Sequence, residues 1–207
     1  MASNPSALGA WQSVHPSQCA EWFSSLTVRW WIAGGWAVDL HAGAQTRPHG
    51  DLDVGILRRD VREVLAALSS WEVFEVSDRA FARLAVGDDP RTEVHSLWCR
   101  PMGAPLWMMQ LLLDESADDF WVFRRQPDIR LPLGMAVRRN SAGLPYLSPE
   151  IQLLYKAKNP RPRDQADFDH VAPRLDQGAR AWLKDALTRM DPGHAWLQKL
   201  RALEPCP

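Results

Sequence analysis

The residues best suited to chemistry lie close together between Gly34 and Asp53. Asp51 and Asp53 are two positions apart. On a strand that spacing turns both carboxylates to one face, about 7 Å apart at their Cα atoms, with Leu52 pointing into the core. Two converging carboxylates suit Mg²⁺, a hard cation that takes few protein oxygens and completes its shell with water and phosphate. Gly34-Gly35 ends an apolar run and can offer bare backbone N–H groups and a helix N-terminus to a phosphate. Arg47 and His49 fall between these features. The guanidinium could clamp a triphosphate through two bonds; the imidazole could bond a phosphate oxygen, orient Asp51 or cap the turn. Taken singly, Gly-Gly and Asp-x-Asp serve structural roles more often than chemical ones, so their order carries the information.

The elements that must position these groups can be read from the pattern. Residues 28–33 (Val-Arg-Trp-Trp-Ile-Ala) predict a buried strand, and 36–41 a short helix stopped by Gly43. A polar turn at 46–50 leads to a second strand over 51–57. Val61, Val64, Leu65 and Leu68 share one face of a helix over 59–70. Strand-like runs follow at 72–76, 81–86, 93–100 and 107–114, with a fifth over 120–124, punctuated by Pro and Gly at hairpin distances. From Ser148 the texture is helical: Ser148, Pro149 and Glu150 read as N-cap and first turn. Further helices are expected at 165–175, at 179–188 and near Trp196, with another before the core around 19–26. The division expected is a core over 1–145 and a C-terminal helical region over 146–207.

Composition excludes several classes. Lys+Arg 24 against Asp+Glu 25 gives a net charge of -1. Bulk charge therefore argues against a polyanion binder, so no general nucleic-acid binding is expected. Hydrophobic content of 46% with 24% charged residues is that of a globular protein. No apolar run reaches the roughly 18 residues of a membrane span, and Met1–Pro5 lacks a signal peptide's basic start. Cys19, Cys99 and Cys206 are far apart and in no ligand spacing, which points to a cytoplasmic protein without disulfides or zinc. Eleven tryptophans predict a large aromatic core, an aromatic-lined pocket, or both. Trp30, Trp31 and Trp36 bracket the Gly-Gly turn; Trp182 and Trp196 are expected to pack the helical tail.

The string Gly34-Gly35-Trp36-Ala37-Val38-Asp39, then Gly43, Thr46-Arg47 and His49-x-Asp51-x-Asp53, resembles the motif of the aminoglycoside and lincosamide nucleotidyltransferases of the DNA polymerase beta superfamily. The close match covers residues 31–57, with a looser pattern later, including Tyr146-x-x-Pro149-Glu150. The resemblance implies an α+β fold: a polymerase-beta-type core with a mixed β-sheet flanked by helices, plus the helical tail. It implies Mg²⁺-dependent transfer of a nucleoside monophosphate from an NTP, ATP first among them, to a hydroxyl of a small molecule, with release of pyrophosphate. An aminoglycoside-like antibiotic is one such acceptor. Metal would then fall to Asp51 and Asp53, and the triphosphate to Gly34, Gly35, Arg47 and His49.

The family also has a third carboxylate on a neighbouring strand, as metal ligand or base. Asp114 is the first choice for it and Glu93 the competitor, because family members often carry the acid earlier in the 107–114 strand, where this chain has Gln110. Lys156 or Lys158 could neutralise the outer phosphates, with Arg161 and Arg163 nearby; a solvated helix end is the structural alternative. Arg124-Arg125 and Arg138-Arg139 read as surface charge. Asp118, Asp119, Asp164, Asp167 and Asp169 could line a pocket for a cationic acceptor. Two other functions share some of these features: a catalytically weak nucleotide-binding regulator on the same fold, which a missing third acid would favour, and a sugar-nucleotide glycosyltransferase using Asp-x-Asp, for which the chain lacks a nucleotide-sugar half.

Overall fold

The computed structural model describes residues 9–77, 80–85 and 87–203; Met1–Pro5, Val86 and Cys206, named above, lie outside them. After a short helix α1 (Ser17–Trp22), the chain runs β1 (Trp30–Ile32), α2 (Gly34–Ala42), β2 (Asp53–Leu57) and α3 (Val61–Ala67), the last preceded by a single 3-10 turn. Six strands follow: β3 (Trp71–Ser77), β4 (Ala80–Arg83), β5 (Ser96–Pro101), β6 (Met109–Ala117), β7 (Phe120–Val122) and β8 (Arg130–Pro132). The remainder comprises α4 (Leu133–Ala136), β9 (Val137–Arg139), β10 (Pro145–Leu147), α5 (Pro149–Lys156), α6 (Pro162–Val171), α7 (Gln177–Met190) and α8 (Trp196–Ala202).

The strands form one mixed sheet in the order β4-β3-β5-β6-β2-β1-β10-β9, and the far end of β6 turns away to pair with β7, which pairs with β8. β2 lies parallel to β6 and antiparallel to β1; β1 is parallel to β10. The central strands are almost fully apolar, with Trp31, Ile32, Val54, Ile56, Leu111 and Leu113 buried, as expected where a sheet is covered on both faces. Leu52 is fully buried, so Asp51 and Asp53 turn the other way.

Four elements between Arg130 and Leu147 carry no sequence signal of their own: β8, α4, β9 and β10. Each is only three or four residues long, and the strands among them exist through the ladders of their neighbours, β8 on β7, β9 on β10 and β10 on the distant β1. β10 pairs Tyr146 with Ile32 of β1, so the helices begin at Pro149, and position 145 falls inside a strand of the sheet. Ser148 does precede α5, although its side chain caps nothing. In the tail, Trp196 stacks on Phe168 with ring centroids 4.2 Å apart, and Trp182 packs edge-on against Trp121.

The sheet leaves one position no latitude. Gly55 faces Trp31 across the β1–β2 ladder, and a Cβ there would lie 2.6 Å from the indole Cε2. Trp31 is itself fully buried, so the ring has nowhere to go. Gly55→Ala should therefore cost about 1–3 kcal/mol from overpacking, measured by urea denaturation; a change below about 0.5 kcal/mol would show that the sheet yields here.

Candidate active site

Because β1 and β2 are neighbours, the turn after β1 and the start of β2 meet at one edge of the sheet. Ala33 is still extended, Gly34 swings to φ 64°, and α2 begins. The amide of Ala33 bonds the Asp53 carbonyl at 2.9 Å. A Cβ on Gly34 would collide with the Asp53 carboxylate; one on Gly35 would lie 2.5 Å from the His49 ring. Both glycines are therefore required by close approach, and the positive φ adds a second reason at Gly34. The Gly34 N–H donates to the Gln152 Oε1 of α5 at 2.8 Å, which ties the turn to the helical tail.

Arg47 and His49 are built into the protein by Asp39. The buried Asp39 carboxylate accepts from the Thr46 N–H (3.1 Å) and hydroxyl (2.5 Å) through Oδ1, and lies 2.5 Å from His49 Nε2 through Oδ2. Arg47 Nη1 donates to His49 Nδ1 at 3.0 Å. Arginine cannot accept, so Nδ1 is the acceptor and Nε2–H the donor to Asp39. Both imidazole nitrogens are thus engaged: His49 orients Arg47 rather than Asp51. Its ring also lies 4.4 Å from that of Trp36, so this tryptophan supports the cradle from within the core.

Asp51, Asp53, Gly34, Gly35, Arg47 and His49 share a cleft of about 440 Å³ with Gln110, Leu112, Arg125, Gln152, Tyr155, Lys156 and the 158–164 segment. Burial, reinforced by the charge of Asp51, pushes the Asp53 carboxyl up to about 7 against the pull of Lys156, Arg163 and Arg161. Lys156 is also present, but its ammonium is held 2.9 Å from Asp167 and 3.1 Å from Asp164. Asp164 takes Arg161 at 2.7 Å as well, and Asp167 reaches Arg47 at 3.5 Å. This buried ion cluster braces α5 and α6 against the 46–49 turn.

The structure does not bring Asp114 to this end of the sheet. The β2–β6 register pairs Asp53 with Gln110 and Leu57 with Asp114, four positions or about 13 Å along the strand. Asp114 is buried there, accepting from the Tyr155 hydroxyl at 2.6 Å. Glu93 is exposed, lies before β5 and pairs with Arg91. Gln110, which donates to Ser96 Oγ at 2.6 Å, stands where the third carboxylate was expected. Among the described residues no group of three or more His, Cys, Asp or Glu converges as a metal site.

Sequence reading missed Gln152, Tyr155 and Arg125 as cleft residues and assigned no role to Asp39. Gln152 meets Gly34 across 118 positions, a contact no local pattern encodes. Asp39 had a weak signal, as a carboxylate on an otherwise apolar helix.

The chain's residues 17–170 match the family model described as aminoglycoside-2''-adenylyltransferase. The chain belongs to that family. It is accordingly a nucleotidyltransferase, and the matched span includes Gly34-Gly35, Asp51 and Asp53 of the cleft at the β1–β2 edge. No curated protein matches the chain. Among solved structures it is similar to the lincosamide antibiotic adenylyltransferase LnuA in its lincomycin-bound form, at 17% identity and a TM-score of 0.54, covering 79% of this chain and 98% of that one. It is also similar to the antibiotic-resistance factor ANT(2'')-Ia, at 16% identity and a TM-score of 0.51, covering 91% and 95%. At such identities the likeness establishes the fold, here the α+β nucleotidyltransferase fold. No helix among the described residues is long and apolar enough to cross a membrane.

Burial pushes the Asp114 carboxyl up from 3.8 to about 6, against the Tyr155 hydrogen bond. The folded state holds this proton more tightly than the unfolded chain, so the group's contribution is complete below about pH 4 and lost as pH rises through about 6. Asp114→Asn keeps an acceptor for Tyr155 and removes the titration. Relative to wild type, the variant should gain roughly 2–3 kcal/mol of stability between pH 4 and 7; parallel stability–pH curves would refute the assignment.

Proposed function

We propose that the protein transfers a nucleoside monophosphate, with ATP as donor, to a hydroxyl of a small molecule and releases pyrophosphate. The observation that carries this reading is the juxtaposition of the Gly34-Gly35 turn, Arg47 and the Asp51/Asp53 pair in one cleft. The Gly34-Gly35 turn opens α2 and sets Arg47 and His49 tight against the positive end of the helix, where a phosphate is favoured. Arg47, held by His49 and Asp39, supplies a fixed cation there at no cost in reorganisation when the phosphate arrives. Lys158 and Arg163, exposed in the same cleft, form no ion pair among the described residues.

Asp51 and Asp53 fit a divalent cation. They are close enough for the charge of Asp51 to raise Asp53, and neither carboxylate has a hydrogen-bond donor of its own among the described residues. We infer that they hold Mg²⁺, which when bound neutralises charge on the transferring phosphate. Gln110 can bond the acceptor but cannot take its proton, so that proton leaves to water. The buried free thiols of Cys19 and Cys99 accord with action in the reducing cytoplasm.

Gln110 also favours a second reading, a nucleotide-binding regulator with little turnover. Equilibrium dialysis separates the two, since a regulator would retain ATP without forming pyrophosphate.

Asp53→Asn should abolish Mg²⁺-dependent pyrophosphate release while leaving the circular dichroism spectrum intact; retained release would remove Asp53 from the metal site. Because a proton and the cation compete for Asp53, release at limiting Mg²⁺ should rise with pH through about 7. Saturating Mg²⁺ should move that midpoint downward. A midpoint indifferent to Mg²⁺ would assign the titration elsewhere.

A further inference from the structure

If the nucleotidyl-transfer reading holds, the sheet register also divides the cleft between its two substrates. β2 has β1 on one side and β6 on the other. Gly34-Gly35 and Arg47 therefore lie on the β1 side of Asp53, and Gln110 on the β6 side. Displacement at the α-phosphorus runs in line, with the entering oxygen opposite the leaving pyrophosphate. A triphosphate seated on the Gly-Gly turn thus leaves the β6 side to the acceptor. That side is lined by Gln110, Leu112, Tyr155 and Arg125.

A polycationic acceptor would need carboxylates here, and the nearby acids are otherwise committed. Asp164 and Asp167 are buried in the cluster with Lys156, Arg161 and Arg47. Asp169 pairs with Lys199 at 2.7 Å, and Asp118 and Asp119 lie in the β6–β7 turn, outside the cleft. Asp114 faces Tyr155, and position 110, beside Asp53, is a neutral amide.

What the β6 side does present is a cation. Arg125, in the loop after β7, lies with its guanidinium carbon 5.7 Å from the ring centres of both Phe123 and Tyr155. It has no ion pair among the described residues. The charged neighbour acting on it most is Arg124, a like charge. A guanidinium held beside aromatic rings rather than in an ion pair keeps N–H groups free for a carboxylate or phosphate.

The geometry points to an acceptor that carries an acidic group, received by Arg125, with its hydroxyl turned to Asp53 and Gln110. In the transfer, the acceptor oxygen bonds to the α-phosphorus as the bond from that phosphorus to the bridging oxygen of the β-phosphate breaks. Pyrophosphate leaves with that electron pair, and the hydroxyl proton passes to water. Gluconate and glucose 6-phosphate represent the two acidic chemistries, methyl glucoside the neutral one and tobramycin the polycation.

Calorimetry on the full chain, saturated with Mg²⁺ and a non-hydrolysable ATP analogue, compares these four compounds. At least one acidic compound should bind ~10-fold more tightly than methyl glucoside, the scale of a hydrogen bond to a charged group. Arg125→Gln should reduce that preference to ~3-fold or less, and Arg125→Lys should restore part of it. Thermal unfolding of both variants establishes that they fold. Tightest binding of tobramycin, equal binding of acidic and neutral compounds, or a preference untouched by Arg125→Gln would each overturn the inference. Failure of the wild-type protein to bind the analogue would instead strike at nucleotidyl transfer itself, whereas analogue binding with a tobramycin preference would overturn only the acceptor assignment.

Discussion

The close approach of the Gly34-Gly35 backbone to the start of β2 is the constraint on which the rest of the site depends. No side chain fits at residue 34 while Asp53 keeps its carboxylate there, and none fits at residue 35 beside Arg47 and His49. The approach is possible because β1 and β2 are adjacent antiparallel strands, so the end of one and the beginning of the other lie at one edge. Trp31 packing on Gly55 holds those strands together on the buried face. Strand pairing in the core thereby sets the distance between a phosphate cradle and a carboxylate pair at the surface.

A second layer of structure spends charge on position rather than on ligands. Asp39 fixes His49 and Thr46, His49 fixes Arg47, and Asp164 and Asp167 fix Lys156 and Arg161. Buried charges persist only when paired and hydrogen-bonded. The acids that an observer of the sequence would offer to a cationic substrate are therefore the ones least free to take it. Gln152, whose Oε1 accepts from the Gly34 N–H, extends the same logic to the backbone and couples the helical tail to the cradle.

Much of the core site was legible because it is compressed into 20 consecutive positions, 34 to 53, where local spacing controls geometry. The strand–Gly-Gly–helix–strand order and the facing of Asp51 and Asp53 follow from period-two and period-3.6 patterns. The third acid was not legible. Asp114 and Gln110 share a face of β6, so alternation alone cannot choose between them; only the pairing of β6 with β2 does. The short strands β8, β9 and β10 escaped for a related reason, since three residues make a strand only when a neighbour supplies the ladder.

Sequence by itself determined the family, the fold class and the residues at the turn, because these depend on contacts between near neighbours in the chain and on residue types that tolerate few substitutes. Tertiary structure alone decided which side chains complete the cleft. It retired Asp114 to a buried bond with Tyr155, set Gln110 beside Asp53, committed Asp164 and Asp167 to Lys156, and brought Arg125 from an apparent surface pair onto the cleft wall. Each outcome turns on strand register or on how neighbouring helices and loops dock, and such contacts leave no mark on local spacing.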